Sequence, residues 1–320
     1  MAEVVYQEPF LSYIEQINLL KSRGLSFKDE SRALSLLECV SYYRLSSYWH
    51  PLLEDKQNKT FKENANFDTA FKLYKFDADL RKIIMAEIVK IEIALRSKMA
   101  YVLSLSNDSF WLENEDLFSC NQTYSYLISK IKEEIKRSEE NFIISFKRDF
   151  SNDIPPAFMV LEITSFGTLS KLYKYLKPGK YRREIAQFFG LPDGTFESWL
   201  HSLVYVRNIC AHSARLWNKQ MRIIPLHPKV NKKQWLDNKQ VCNNRIYFVL
   251  SMIIYLLNII NPKHSFKQKL EALFSKYPSI DKTAMGFPIN WQKESLWGGT
   301  CDVNPEDRGS DVFYIQKNHD

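Results

Sequence analysis

Only nine glycines and twelve prolines occur in 320 residues. All-β chains need frequent turns, so this scarcity of breakers argues against a sandwich or barrel and favours long helices. The five cysteines (Cys39, Cys120, Cys210, Cys242 and Cys301) are scattered, odd in number and never spaced as Cys-x-x-Cys. Neither a disulfide framework nor a zinc knuckle is expected from them. Walker, dinucleotide and His-Glu-x-x-His motifs are missing too, so no metal or cofactor is expected. The most apolar run, Ile246 to Ile260, has 15 residues and is interrupted by Ser251 and Asn258. A bilayer span takes about 20 apolar residues, so a buried core helix is expected and no membrane association. The opening MAEVVYQEPF has neither the basic region nor the apolar run of a secretory signal, which predicts a cytoplasmic chain.

What remains is an ordinary globular composition, 45% hydrophobic and 25% charged, in a chain long enough to bury a sizeable core. The expected class is all-α, in a single domain over 1–320. Apolar residues at helical spacing predict helices over 9–23, with Phe10, Ile14, Ile17 and Leu20 inward and Gly24 as the stop. Another is expected over 31–40, leading into the aromatic stretch SYYRLSSYW (41–49), and 56–66 reads as a loop. The longest helix is expected over 68–105, with Phe71, Tyr74, Leu80, Ile84, Ile88, Ile91 and Leu95 on its apolar face. Further helices are predicted over 123–150, 157–164, 168–176, 182–189, 196–218, 238–260 and 265–276. The Ile154-Pro155-Pro156 run marks a boundary. Thr195 is the expected N-cap of the 196–218 helix. From Asp281 onward the tail is expected to pack in extended form.

Net charge is +7, and its distribution is uneven. Between positions 163 and 236, thirteen Lys and Arg face three acids, Glu184, Asp193 and Glu197. That segment is +10, and the rest of the chain is 7 minus 10, or −3. Affinity for a polyanion is therefore concentrated there, with Lys171, Lys174, Lys180, Arg182, Arg183, Lys219 and Arg222 as candidate RNA contacts.

Within this segment stands Arg207-Asn208-Ile209-Cys210-Ala211-His212-Ser213-Ala214-Arg215-Leu216-Trp217-Asn218. A helix through it would place Asn208, His212, Arg215 and Lys219 on one polar stripe. Arg207 and His212 would lie about 140° apart around the axis and about 7.5 Å along it. A second copy, placed across a two-fold axis, would help close that gap. Metal-free RNA cleavage needs one group to take a proton from a ribose 2′-hydroxyl and one to give a proton to the departing 5′-oxygen. A histidine suits either transfer. A guanidinium suits the negative charge of the transition state.

RNICAHSARLWN resembles the Arg-Asn-x-x-Ala-His signature of HEPN proteins, and more closely the form found in the Abi-like abortive-infection family (AbiD/AbiF type). The likeness continues through Gln16, Leu20 and Arg23-Gly24-Leu25, and through SYYRLSSYW. It also takes in Phe76, Asp77, Leu80, Arg81, Ile91, Glu92 and Arg96, the Ser165-Phe166-Gly167-Thr168-Leu169-Ser170 step, and MGFPINW near the end. The resemblance implies an α-helical HEPN-like bundle with added N- and C-terminal helices, homodimerisation, phage defence by abortive infection, and RNA as the target. Carried over by position, Arg207 and His212 are the expected catalytic residues, with Asn208 and Arg215 supporting them. Two other readings fit the same residues: a non-catalytic RNA-binding protein partnered by a small regulatory RNA, and an interaction module whose Arg207 helix serves only a dimer seam. Glu92 with Arg96 and Asp77 with Arg81, each four apart, read first as helix ion pairs and secondly as groups orienting the motif. His50 and His201 read as structural, and SYYRLSSYW as core aromatics before base-stacking ones.

Overall fold

A computed structural model describes residues 9–229 and 233–298. The expectations for residues 1–8, Lys232 and Cys301 fall outside these. Among the described residues are thirteen α-helices and one antiparallel two-stranded hairpin, a predominantly all-α fold. In chain order the elements are α1 (Tyr13–Ser22), α2 (Glu30–Val40), α3 (Tyr42–Trp49), β1 (Leu53–Asp55), β2 (Thr60–Phe61) and α4 (Phe67–Asn107). Next come α5 (Asn121–Arg137), α6 (Asn141–Asp149), α7 (Ala157–Ile163), α8 (Phe166–Tyr175) and α9 (Lys180–Phe188). The last are α10 (Asp193–Ala211), α11 (Ile246–Ile260), α12 (Phe266–Lys276) and α13 (Ser295–Gly298).

The axis of the molecule is α4, 41 residues long and so about 60 Å. Asn66 caps its start by accepting from the Asp68 N–H, and neither Gly nor Pro interrupts it. Its stripe of Phe76, Leu80, Ile84, Ile88, Ile91 and Leu95 is fully buried, and α3, α7, α9, α10, α11 and α12 all pack along it. Charges on the buried side of α4 are paired, as low dielectric demands. Glu87, for example, meets Lys90 at 2.6 Å and Lys269 at 2.7 Å. α11 is apolar all round and is buried from Ile246 through Leu257, which is the signature of a central helix. No helix among the described residues is long and apolar enough to cross a membrane.

Several boundaries differ from the sequence expectation, each for a local reason. Ser12 and Glu15 form a capping box, so the first helix starts at Tyr13 and leaves Phe10 and Ile14 exposed. Part of the expected 56–66 loop pairs as the β1–β2 hairpin, with Lys59 at positive φ in its turn. The expected 123–150 helix breaks at 138–140, where Ser138 and Glu140 are extended. The helix expected over 238–260 begins only at Ile246, and residues 238–244 form turns. The tail departs from the extended form over its described residues, 281–298: Thr283–Met285 and Trp291–Lys293 are 3₁₀ turns, and Phe287, Trp291 and Trp297 stack around Tyr247 and Phe274. Gly286 (φ 87°) is what permits the return, because a Cβ there would sit 2.5 Å from the Arg245 Cβ.

Candidate active site

Helix α10 starts at Asp193, two residues before the expected Thr195 cap, and Thr195 is buried in the first turn. Phe196, Trp199, Leu200, Leu203 and Val206 fix the helix to the core. It ends at Ala211, well before the expected 218. His212 is its C-cap, and Ser213 follows in the left-handed region at φ 53°. The N–H of Ser213 donates to Cys210 O at 3.1 Å and that of Ala214 to Ile209 O at 3.0 Å. These two bonds make a Schellman ending, with serine in the position usually taken by glycine. The polar stripe therefore stops at His212. Arg215 and Lys219 belong to the loop that follows, and Arg215 Nη1 donates to Ser47 O at 3.3 Å.

That loop is held by a buried clamp. Asp77 of α4, wholly inaccessible, accepts from the N–H of Leu216 at 3.0 Å and of Trp217 at 2.7 Å. It also accepts from Tyr48 Oη at 2.6 Å and from the Arg81 guanidinium. Arg81, 5% exposed, donates in turn to Ala214 O at 3.2 Å. Burial pushes the Asp77 carboxyl up, and Arg81, Tyr48 and the two amides oppose that push. From α3, Arg44 Nη1 donates to Ser213 O at 2.7 Å. The three sequence blocks SYYRLSSYW, FDADLR and HSARLW thus meet at one place, directly after His212.

Sequence reasoning read Asp77 and Arg81 first as a helix pair and secondly as groups orienting the motif. It missed that they pin residues 214–217, and it did not consider Arg44 or Tyr48 in this role. A signal was available: Asp77 and Arg81 sit on the same α4 face as Leu73, Leu80, Ile84 and Ile88. A charge pair on an apolar stripe is buried and needs partners from elsewhere.

The arginines divide by their partners. Arg81 pairs with Asp77, and Arg96 with Glu92 at 2.9 Å. Arg182 pairs with Glu197 at 2.7 Å. Arg207 has no carboxylate within ion-pair distance among the described residues. It is half-buried, its Nη1 donates to Asn208 Oδ1 at 3.4 Å, and its Nε is buried without a hydrogen-bond partner, as are Arg96 Nε and Arg182 Nε. Asn208 and His212 are exposed, the imidazole one residue past the end of α10 and five residues along the chain from Arg207. Cys210, on the same turn, is no rival nucleophile, because burial pushes its thiol up to about 12.

Of the candidate RNA contacts, Lys171, Lys174, Lys180, Arg183 and Arg222 are exposed and Lys219 is half-exposed. None of these six is in an ion pair among the described residues. Arg182 has to be removed from the set. It is 7% exposed, donates to Lys174 O at 2.9 Å and lies over the Tyr173 ring at 5.3 Å. Its charge is consumed in holding α8, α9 and α10 together. Arg182→Ala is expected to lower folding stability by about 1.5–3 kcal/mol, the range for hydrogen bonds to a charged group. Lys171→Ala should stay within about 0.5 kcal/mol of the parent in the same urea titration. Arg96 also donates to Thr164 O at 3.0 Å, so the Glu92 pair ties α4 to the end of α7 and has no contact with the motif. His50 and His201 are exposed, contrary to a structural reading.

Neither the cavity beside α1 and α3 nor the one between the end of α5 and α7 is lined by Arg207 or His212. Asn208 and His212 are exposed at the surface. A family model described as Abi-like protein matches residues 35–218, more than half of the chain and ending at the last residue of the motif. No curated protein and no solved structure matches the chain.

Proposed function

This chain belongs to the Abi-like protein family, and we propose that it acts in abortive infection as a metal-independent HEPN-type endoribonuclease, with Arg207 and His212 at its active site. The observation that carries this reading is the placement of the motif. Arg207, half-buried and with no carboxylate within ion-pair distance among the described residues, lies near the end of α10, and His212 is exposed at the C-cap of the same helix, where the Asp77 clamp fixes the loop that follows. A guanidinium that no acid neutralises is available to a scissile phosphate.

In the proposed reaction the ribose 2′-oxygen attacks phosphorus and its proton passes to one imidazole. The phosphorus–O5′ bond breaks, and a protonated imidazole gives its proton to the leaving 5′-oxygen. The products are a 2′,3′-cyclic phosphate and a 5′-hydroxyl. One chain offers one such histidine, exposed at the surface. A homodimer formed across the α10 ends would supply the second and wall the site. Asn208 and Arg215 support the pair, and the free lysines and arginines of α8 and α9 draw in the RNA backbone. This assigns the chain to the cytoplasm, where RNA is available.

The test is cleavage of single-stranded RNA by purified protein in EDTA, with the ends identified chemically and with His212→Ala and Arg207→Ala alongside. Variants that cut as well as the parent would sink the assignment. The exposure of Asn208 and His212 favours a second reading: a non-catalytic binder of RNA, partnered by a small regulatory RNA. In that case the parent binds RNA with steep salt dependence and leaves it intact under every condition.

A further inference from the structure

Between α1, α3 and the β1–β2 hairpin lies a cavity of about 730 Å³, within the size range of small-molecule sites (roughly 300–1,000 Å³). Its walls are largely aromatic, with Tyr13 from α1 and Tyr42, Tyr43 and Trp49 from α3. Tyr42 and Trp49 meet edge to face at 5.0 Å, which fixes both rings. Tyr43 is 88% exposed, far more than an aromatic with only a packing role.

Charge in the lining is one-sided, with Arg23, Lys56 and Lys59 against Glu38. None of the three cations is in an ion pair among the described residues. Arg23 instead donates to Tyr42 Oη at 3.2 Å.

Flat aromatic walls and a cationic lining together fit a planar base joined to a phosphate. An acyl chain would leave the cations without a counter-charge, and an acidic peptide would leave the rings without a stacking partner. The position also matters. α3, which forms one wall, carries Arg44, and Arg44 holds the Ser213 carbonyl next to His212.

We propose that this cavity seats one nucleotide of a single-stranded RNA, its base against the α3 aromatics and its phosphate toward Arg23, Lys56 and Lys59, with the strand continuing over α3 toward His212. The proposal rests on the RNA reading above and adds to it a binding site remote from Arg207.

The test is the affinity of the full chain for a fluorescent ten-nucleotide RNA, with free 5′-AMP as a separate arm followed by tryptophan quenching. Tyr43→Ala removes one exposed ring and Tyr13→Ala another. Each is expected to weaken binding of the 10-mer at least about fivefold, as loss of a stacked base does. Lys56→Ala with Lys59→Ala should flatten the salt dependence. Both tyrosines are exposed, so the urea midpoint of each variant should stay near that of the parent. Cavity variants that bind the 10-mer as tightly as the parent would overturn the seat and leave the RNA reading intact. A parent that binds neither the 10-mer nor 5′-AMP would overturn both, and binding of 5′-AMP without the 10-mer would overturn the RNA path and the RNA reading with it.

Discussion

Asp77→Ala is expected to destabilise the fold by about 3–5 kcal/mol, the range for stripping one partner from a buried ion pair. The magnitude follows from what the substitution leaves behind. Arg81 would remain 5% exposed with its charge uncompensated. The amides of Leu216 and Trp217 and the hydroxyl of Tyr48 would each lose their acceptor in a dry setting. Asp77→Asn keeps the volume but brings an NH₂ group into a ring of donors, so it should recover less than half of the loss. Urea unfolding gives the energy. Hydrogen exchange at the Leu216 and Trp217 amides shows whether the loss is local first, because those N–H groups would be released before the core opens. A change below about 1 kcal/mol would mean that the clamp is dispensable. Removing the exposed Glu133 from its pair with Lys130 should change stability little, since both groups already sit in water.

The clamp also shows where sequence reasoning reaches its limit. The all-α class was legible because few breakers and an apolar stripe as long as that of α4 leave little else. The Gly24 stop was legible too: Gly24 has φ 92°, and Leu25 N–H closes on Leu20 O at 3.0 Å as a C′ glycine predicts. The end of α10 was not. Nothing in AHSARLW is a helix breaker, and serine at C′ gives no glycine signal. The helix stops because Asp77 takes the Leu216 and Trp217 amides, a contact across about 140 positions of chain that no local pattern records. The same holds for Arg182. By composition it is one more base in a basic segment, and only the positions of Tyr173 and Glu197 show that its charge is spent internally. Arg207 is the converse case. The motif singled it out in the sequence, and its guanidinium has no carboxylate within ion-pair distance among the described residues.

In the proposed reaction Arg207 and His212 carry the largest expected effect on activity. His212→Ala should reduce cleavage about 10²–10⁴-fold, the contribution of one positioned proton-transfer group. Arg207→Ala should reduce it about 10²–10³-fold, the contribution of one preorganised donor to the charged transition state. The double variant should be little worse than the poorer single one, because both groups act on the same transition state and either loss removes the step. Arg207→Lys keeps the positive charge but not the guanidinium fork or its Nε donor, so it should behave closer to alanine than to arginine. Stability should change little in the His212 variant, whose side chain is exposed. A loss of cleavage in that variant, with an unaltered urea midpoint, therefore reports on chemistry and not on folding. If two copies complete one site, activity per chain should fall on dilution below the dimer dissociation constant, and a dependence on pH with two limbs should report the two imidazoles. Undiminished activity per chain at every dilution, together with cleavage by His212→Ala at the parental rate, would leave the Arg207 edge without a catalytic role.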